Sequence, residues 1–139
     1  MTRITGVINT WQEAGNIRTA IAGLRGGAEF GDAWHQGGMR ARKQNTFDDF
    51  MAAGQWLLTH GYCTQQRLGI LGGSNGGLLV GAALTQRPDL FGAVVCEVPL
   101  LDMVRFHRFL VARFWTPEYG CSEDPEQFRW LYAYSPYHH

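Results

Sequence analysis

Net charge is the first thing this sequence lacks. Its 12 basic and 12 acidic side chains cancel, so no long-range field draws in nucleic acid, an anionic membrane or a highly charged substrate. Paired cysteines are missing too. Cys63, Cys96 and Cys121 are odd in number and far apart, with no C-x-x-C spacing for zinc or dithiol redox chemistry; they read as reduced thiols in a cytoplasmic protein. No apolar run approaches the roughly 18 residues a membrane span requires. The opening "MTRITGVINTWQEAGNIRTA" has no apolar stretch of the secretory kind. These absences leave a small or neutral partner, with no metal, cofactor, nucleic acid or membrane expected.

What is present is a chain of 139 residues, 45% hydrophobic, the size and composition of one folded unit. Short-spaced apolar residues from Ile17 to Leu24, ending in "RGGAEFG", fit a strand that runs into a glycine-rich turn just before Arg25. The segment "WHQGGMRARKQN" is polar and reads as a surface loop with a solvated basic face. In "NTFDDFMAAGQWLLTHG" the residues Phe47, Phe50, Met51, Trp56, Leu57 and Leu58 recur near helical spacing. Thr46 and Asp49 look like a capping-box start to that helix, and Gly61 like its stop.

A strand "RLGILG", a helix "NGGLLVGAALTQR" closed by Pro88, and a strand "GAVVCEV" ended by Pro99 follow. Beyond them "DMVRFHRFLVARFW" has helical spacing, and the tail combines a turn, a short helix and a proline-broken end. Strands alternating with helices predict an α/β fold, a mostly parallel sheet flanked by helices. Three strands are fewer than such a sheet usually carries, so the segment reads as part of a larger domain, truncated at both ends.

The segment Arg67 to Leu84, "RLGILGGSNGGLLVGAAL", sets a serine among glycines between two apolar runs. A phosphate cradle fails on spacing: no lysine follows the turn as a P-loop requires, and no two of these glycines stand two apart as a dinucleotide fingerprint requires. The spacing G-x-S-x-G does fit, read as Gly72, Gly73, Ser74, Asn75 and Gly76, where a strand turns sharply into a helix. Such a turn lifts Ser74 above the carboxyl ends of the strands. The following helix aims its first amides at the same point, so the Asn75 N–H can stabilise a developing oxyanion. A glycine-rich turn with an incidental serine is the bland competitor.

Four longer segments carry a more specific signal: "LRGGAEFGDAWHQGG", "KQNTFDDFMAAGQWLLTHGY", "GGSNGGLLVGAALTQRPDLFGAVVCEVPLLDM" and "RFWTPEYGCSEDPEQFRWLYAYSPYH". From about Trp11 onward the chain resembles the prolyl oligopeptidase family of serine peptidases. "GGSNGG" and the tryptophan segment ending in "EYG" look closer to the prolyl branch than to the oligopeptidase B branch, which usually has alanine after the serine. The resemblance implies a partial α/β-hydrolase catalytic domain over residues 1–139, Ser-Asp-His chemistry, a cytoplasmic location and a β-propeller that limits access to short proline-containing peptides. No propeller is present here. By the same resemblance Ser74 matches the nucleophile and Asn75 the oxyanion-hole neighbour. Trp115 matches the platform for the substrate's proline ring, and Tyr119 and Leu100 other walls of that pocket. An indole face gives a proline ring contact area without demanding hydrogen bonds; simple core packing is the alternative for Trp115.

In hydrolases of this fold the triad runs Ser, Asp, His, with the last two well after the nucleophile, which places both partners outside this chain. The histidines present offer no substitute. His35 and His60 precede the serine, His107 follows Asp102 too closely on an expected helix to bracket a site, and His138 and His139 stand at a terminus. The isolated chain is therefore expected to be inactive and prone to self-association through an exposed sheet edge. An oligopeptidase B-like peptidase or another α/β-hydrolase esterase stays open as an enzyme reading, and a non-enzymatic remnant or interaction fragment as the other class.

Overall fold

The structure, a computed structural model, describes the backbone of residues 6–9 and residues 23–139 in full. Three strands, β1 (Gly6–Asn9), β2 (Leu68–Gly73) and β3 (Ala93–Glu97), form a parallel sheet ordered β1-β2-β3. Ile70 of β2 stands opposite Ile8 on one side and Val94 on the other. The strand read over Ile17–Leu24 lies outside the described residues except for its last two, which are irregular. The α/β reading holds: Leu68, Gly69 and Ile70 are buried in succession, as expected of a central parallel strand covered on both faces.

Five α-helices are described: α1 (Asp32–Gln36), α2 (Gln44–Thr59), α3 (Asn75–Gln86), α4 (Thr116–Tyr119) and α5 (Pro125–Tyr134). The buried face of α2 is Phe47, Phe50, Met51, Gly54 and Leu57, the three- and four-residue spacing of one helix face. Trp56, read as part of that face, is instead exposed and stacks on His60 and Tyr62. Helix α3 buries Leu78, Leu79, Val80, Ala82 and Ala83. Each fully buried leucine or phenylalanine in this core contributes about 1.5–3 kcal/mol relative to exposure.

Three local readings need correction. The run 102–115 is not one helix but two 3-10 turns, Phe106–Arg108 and Ala112–Trp115, separated by Leu110 at φ 48°. Thr46 and Asp49 do not cap α2. The chain enters that helix through a 3-10 turn at Arg40–Arg42, with no side-chain cap at its start, and both side chains reach back to Arg25 instead. The stretch read as a solvated basic loop holds α1 and that turn, and its Lys43 is buried, 2% exposed. Among the described residues no helix is long and apolar enough to cross a membrane. The outer strand β3 leaves Val95 exposed, and Val98, just past its end, is 83% exposed.

Candidate active site

β2 ends at Gly73 and α3 begins at Asn75, so Ser74 alone reverses the chain. It does so at φ 55°, ψ −114°, a conformation that costs a side-chain-bearing residue about 1–3 kcal/mol and persists only where the surroundings impose it. Two glycines make it possible. A Cβ on Gly72 would lie 2.1 Å from the Gly76 carbonyl oxygen, and one on Gly77 would lie 2.9 Å from the Glu97 carbonyl oxygen. Strand and helix thus cross backbone against backbone, and α3 sits equally close to the end of β3.

The Ser74 N–H donates to the Glu97 carbonyl at 3.0 Å, and the Ser74 carbonyl accepts from the Leu78 N–H at 3.1 Å. Ser74's own amide is thereby committed to β3. The amides of Asn75, Gly76 and Gly77 lie ahead of the helix's own hydrogen-bond ladder, at its positive end. Among the described residues the Ser74 hydroxyl has no hydrogen-bond partner.

Ser74 and Asn75 stand on a ridge between two cavities. One, of about 200 Å³, is lined by Ser74, Asn75, Leu100, Trp115, Glu118 and Tyr119. All five residues singled out from the sequence therefore meet in one place, although they come from the elbow, the segment after β3, a 3-10 turn and α4. Trp115 is 40% exposed, which suits a wall better than a core position. Tyr119 is buried, its ring edge-on to Phe106 at 5.5 Å, and its hydroxyl donates to Asn75 Oδ1 at 2.7 Å. Burial, and then the charge of Glu118, push the Tyr119 phenol far above its ordinary range, so it remains a neutral donor.

The second cavity, of about 380 Å³, has Gly26, Gly27 and Glu29 on its far side. Its rim is clasped to α2. Asp49 accepts from the Arg25 N–H at 2.9 Å and from Nε at 2.8 Å, while Thr46 Oγ1 donates to the Arg25 carbonyl at 2.7 Å. Partial burial pushes the Asp49 carboxyl up, but hydrogen bonds from Arg25 and its charge outweigh this and hold it below the ordinary carboxylate range.

Sequence reasoning missed two residues here, Glu118 in the lining of the first cavity and Lys43 in that of the second. Glu118 takes Lys43 Nζ on Oε1 at 3.0 Å and faces His35 Nε2 with Oε2 at 3.0 Å. Lys43 is the chain's only lysine, and no local pattern marks it as the buried cation of its stretch. None of the five histidines lines either cavity. His35 faces Glu118, His60 lies against the Trp56 carbonyl at 2.9 Å, and His107 faces Glu123 at 3.5 Å. His138 meets Ser135 Oγ and His139 the Tyr132 carbonyl, each at 2.9 Å. Asp102 is engaged by Arg105 rather than by His107. Cys63, Cys96 and Cys121 are free. The Cys96 thiol, beside the elbow, donates to the Gly77 carbonyl at 3.2 Å and is raised by desolvation, so it is no rival nucleophile. Among the described residues no group of three or more potential metal ligands gathers.

The chain is similar to known proteins over most of its length. The chain is 49% identical over 116 residues to a prolyl endopeptidase of Dictyostelium discoideum, covering 84% of this chain and 15% of that protein. It is 44% identical over 134 residues to a prolyl endopeptidase of Elizabethkingia meningoseptica, covering 95% and 19%. A structure from a mechanistic study of two prolyl endopeptidases superposes with TM-score 0.82 at 64% identity, over 84% of this chain and 17% of that one. Apo prolyl oligopeptidase B from Galerina marginata gives TM-score 0.80 at 46% identity, over 83% and 16%. The chain thus spans under a fifth of the length of these relatives. The family model described as the prolyl oligopeptidase family matches residues 5–139, and with relatives this similar over most of its length the chain belongs to that family.

Proposed function

We propose that this chain is the nucleophile-bearing part of the catalytic domain of a prolyl oligopeptidase-type serine peptidase, which cleaves short peptides after proline. One observation carries the reading: Trp115, Leu100 and Tyr119 line a single cavity with Ser74 and Asn75, in a chain of this family. Ser74 Oγ attacks the proline residue's own carbonyl carbon, the Asn75 N–H, free at the start of α3, receives the oxyanion, and the C–N bond to the next residue breaks, releasing the protonated amine and leaving the acyl-enzyme. The substrate's proline ring lies on Trp115. The base that takes the Ser74 proton, its aspartate, a second oxyanion donor and the propeller come from outside these residues, and the complete protein acts in the cytoplasm.

Replacing Trp115 by alanine in a complete peptidase carrying this segment is expected to lower kcat/KM for Gly-Pro reporters about tenfold to a hundredfold. It should slow fluorophosphonate labelling of Ser74 far less, because stacking positions the substrate without activating the serine. Equal loss of both would make Trp115 a folding residue. Glu118 in the cavity lining favours one competitor, a basic-residue peptidase of the oligopeptidase B kind. Both its oxygens are already engaged by Lys43 and His35, however, so its charge is answered from within. Faster cleavage of Arg-Arg than of Gly-Pro reporters would reverse that judgement.

The chain by itself is expected to be silent toward Gly-Pro reporters and self-associated. Its serine has no base, and Val95 and Val98 leave apolar surface on and beside β3, a strand edge open to pairing. Size-exclusion chromatography with a reporter assay checks both points. A monomer that melts cooperatively and shows Ser74-dependent cleavage would overturn them.

A further inference from the structure

We infer that Lys43 is a positioning residue for the substrate pocket: buried and not itself part of the pocket's lining, but in contact with Glu118 and Tyr119, which are, it fixes α4 through Glu118 and so sets where Trp115 and Tyr119 stand. This rests on the functional reading given above. Helix α4 is four residues long, between a 3-10 turn and Gly120 at φ 97°. One turn of helix does not hold itself together, since nucleation fixes many dihedrals for few hydrogen bonds. Its orientation therefore comes from anchors outside it.

Four anchors reach α4 as side-chain donors: Arg40 Nε to the Pro117 carbonyl at 3.0 Å, Lys43 Nζ and His35 Nε2 to the Glu118 carboxylate at 3.0 Å each, and Trp130 Nε1 to the Tyr119 carbonyl at 3.2 Å. Lys43 differs from the other three. At 2% exposure its ammonium has lost its water, and a buried charge is tolerated only when paired. Exposed Arg40 and half-exposed His35 have solvent as an alternative partner; Lys43 has Glu118.

Lys43 Nζ also lies 5.2 Å from the centre of the Tyr119 ring, within the reach of a cation–π contact. The same ring's hydroxyl holds Asn75 Oδ1, next to Ser74. A line of contacts thus runs from Lys43 to Glu118 and Tyr119 and on to Asn75, so a shift of α4 would be felt at the pocket wall and beside the serine together. A hydrophobic side chain of lysine's length could fill the volume. It could not choose one rotation of α4, which a single directed ion pair does.

The test compares Lys43→Met, Glu118→Gln and the double variant in a complete peptidase carrying this segment, reading KM and kcat on a Gly-Pro reporter and the rate of fluorophosphonate labelling at Ser74. Each single variant is expected to raise KM about tenfold, with smaller changes in kcat and in labelling, as misplacement of a substrate wall would produce. The double variant should be no worse than the worse single one, because the pair acts as a unit. If Lys43→Met does not fold, Glu118→Gln, which keeps the volume, carries the test alone. KM within twofold of the unsubstituted enzyme for Glu118→Gln would overturn the inference. So would losses that add in the double variant, or labelling that falls in step with turnover. Failure of the unsubstituted enzyme to cleave Gly-Pro reporters would instead overturn the functional reading and this inference with it, which keeps the two failures apart.

Discussion

Replacing Ser74 by alanine in a complete peptidase carrying this segment should abolish fluorophosphonate labelling and lower turnover by about 10⁴ to 10⁶, the loss typical when the nucleophile of a serine triad is removed. The expectation follows from the elbow. Ser74 holds a positive φ without being glycine and lines both cavities, and among the described residues its hydroxyl has no partner, so the strained turn serves to present that one group. Alanine keeps the turn and removes only the oxygen. The protein should therefore remain folded, and melting and labelling can be read on the same sample. Labelling that persists in the alanine variant would assign the nucleophile to another residue and remove the basis of the mechanism.

The second large effect is expected from Gly72→Ala, which adds one methyl group. The new Cβ would lie 2.1 Å from the Gly76 carbonyl oxygen and 2.5 Å from its carbon, and neither is the end of a side chain that can swing away. Overpacking usually costs about 1–3 kcal/mol. Here relief requires α3 to move off β2, so destabilisation should reach or exceed about 3 kcal/mol, and labelling at Ser74 should fall at least about a hundredfold. Gly73 supplies the control: a Cβ there meets nothing closer than 3.9 Å, and Gly73→Ala should leave the melting temperature nearly unchanged. Similar melting of the two variants would show that α3 can move off β2 at little cost.

The parts of the fold legible from sequence were those where local pattern and tertiary use agree. β2, α3 and β3 were readable because apolar runs of strand length are punctuated by glycine and proline, and burial in a parallel sheet rewards that pattern. Residues 102–115 misled for the opposite reason. Met103, Phe106, Leu110 and Phe114 have helical spacing, yet the backbone turns at Leu110, leaving Met103 and Phe106 buried while Leu110 and Phe114 are exposed. Spacing says which residues could share a face, not whether a surface exists to receive that face. Thr46 and Asp49 look like a local cap, but their hydrogen bonds go to Arg25, 21 and 24 residues away, and no local pattern encodes that choice.

The candidate site divides along the same line. Ser74 and Asn75 were legible from five consecutive residues, since G-x-S-x-G carries its own geometry. Leu100, Trp115 and Tyr119 could be placed only by resemblance, because three elements bring them together. Lys43 was misread as part of a solvated face. Nothing in "RARKQN" distinguishes the lysine that folds inward from the arginines beside it.

That inward lysine gives the segment a built-in chemical clock. Every other cation here is an arginine or a histidine, so the single ε-amine is both the only lysine target for acylating reagents and one of the least accessible groups in the fold. At 2% exposure it is reached only when the structure around it opens locally. The rate at which residue 43 becomes acylated therefore counts local openings behind the pocket, and when closing is fast it reports their equilibrium free energy directly. Substrate or inhibitor on the far side of α4 should slow that clock in proportion to how firmly it holds the wall in place.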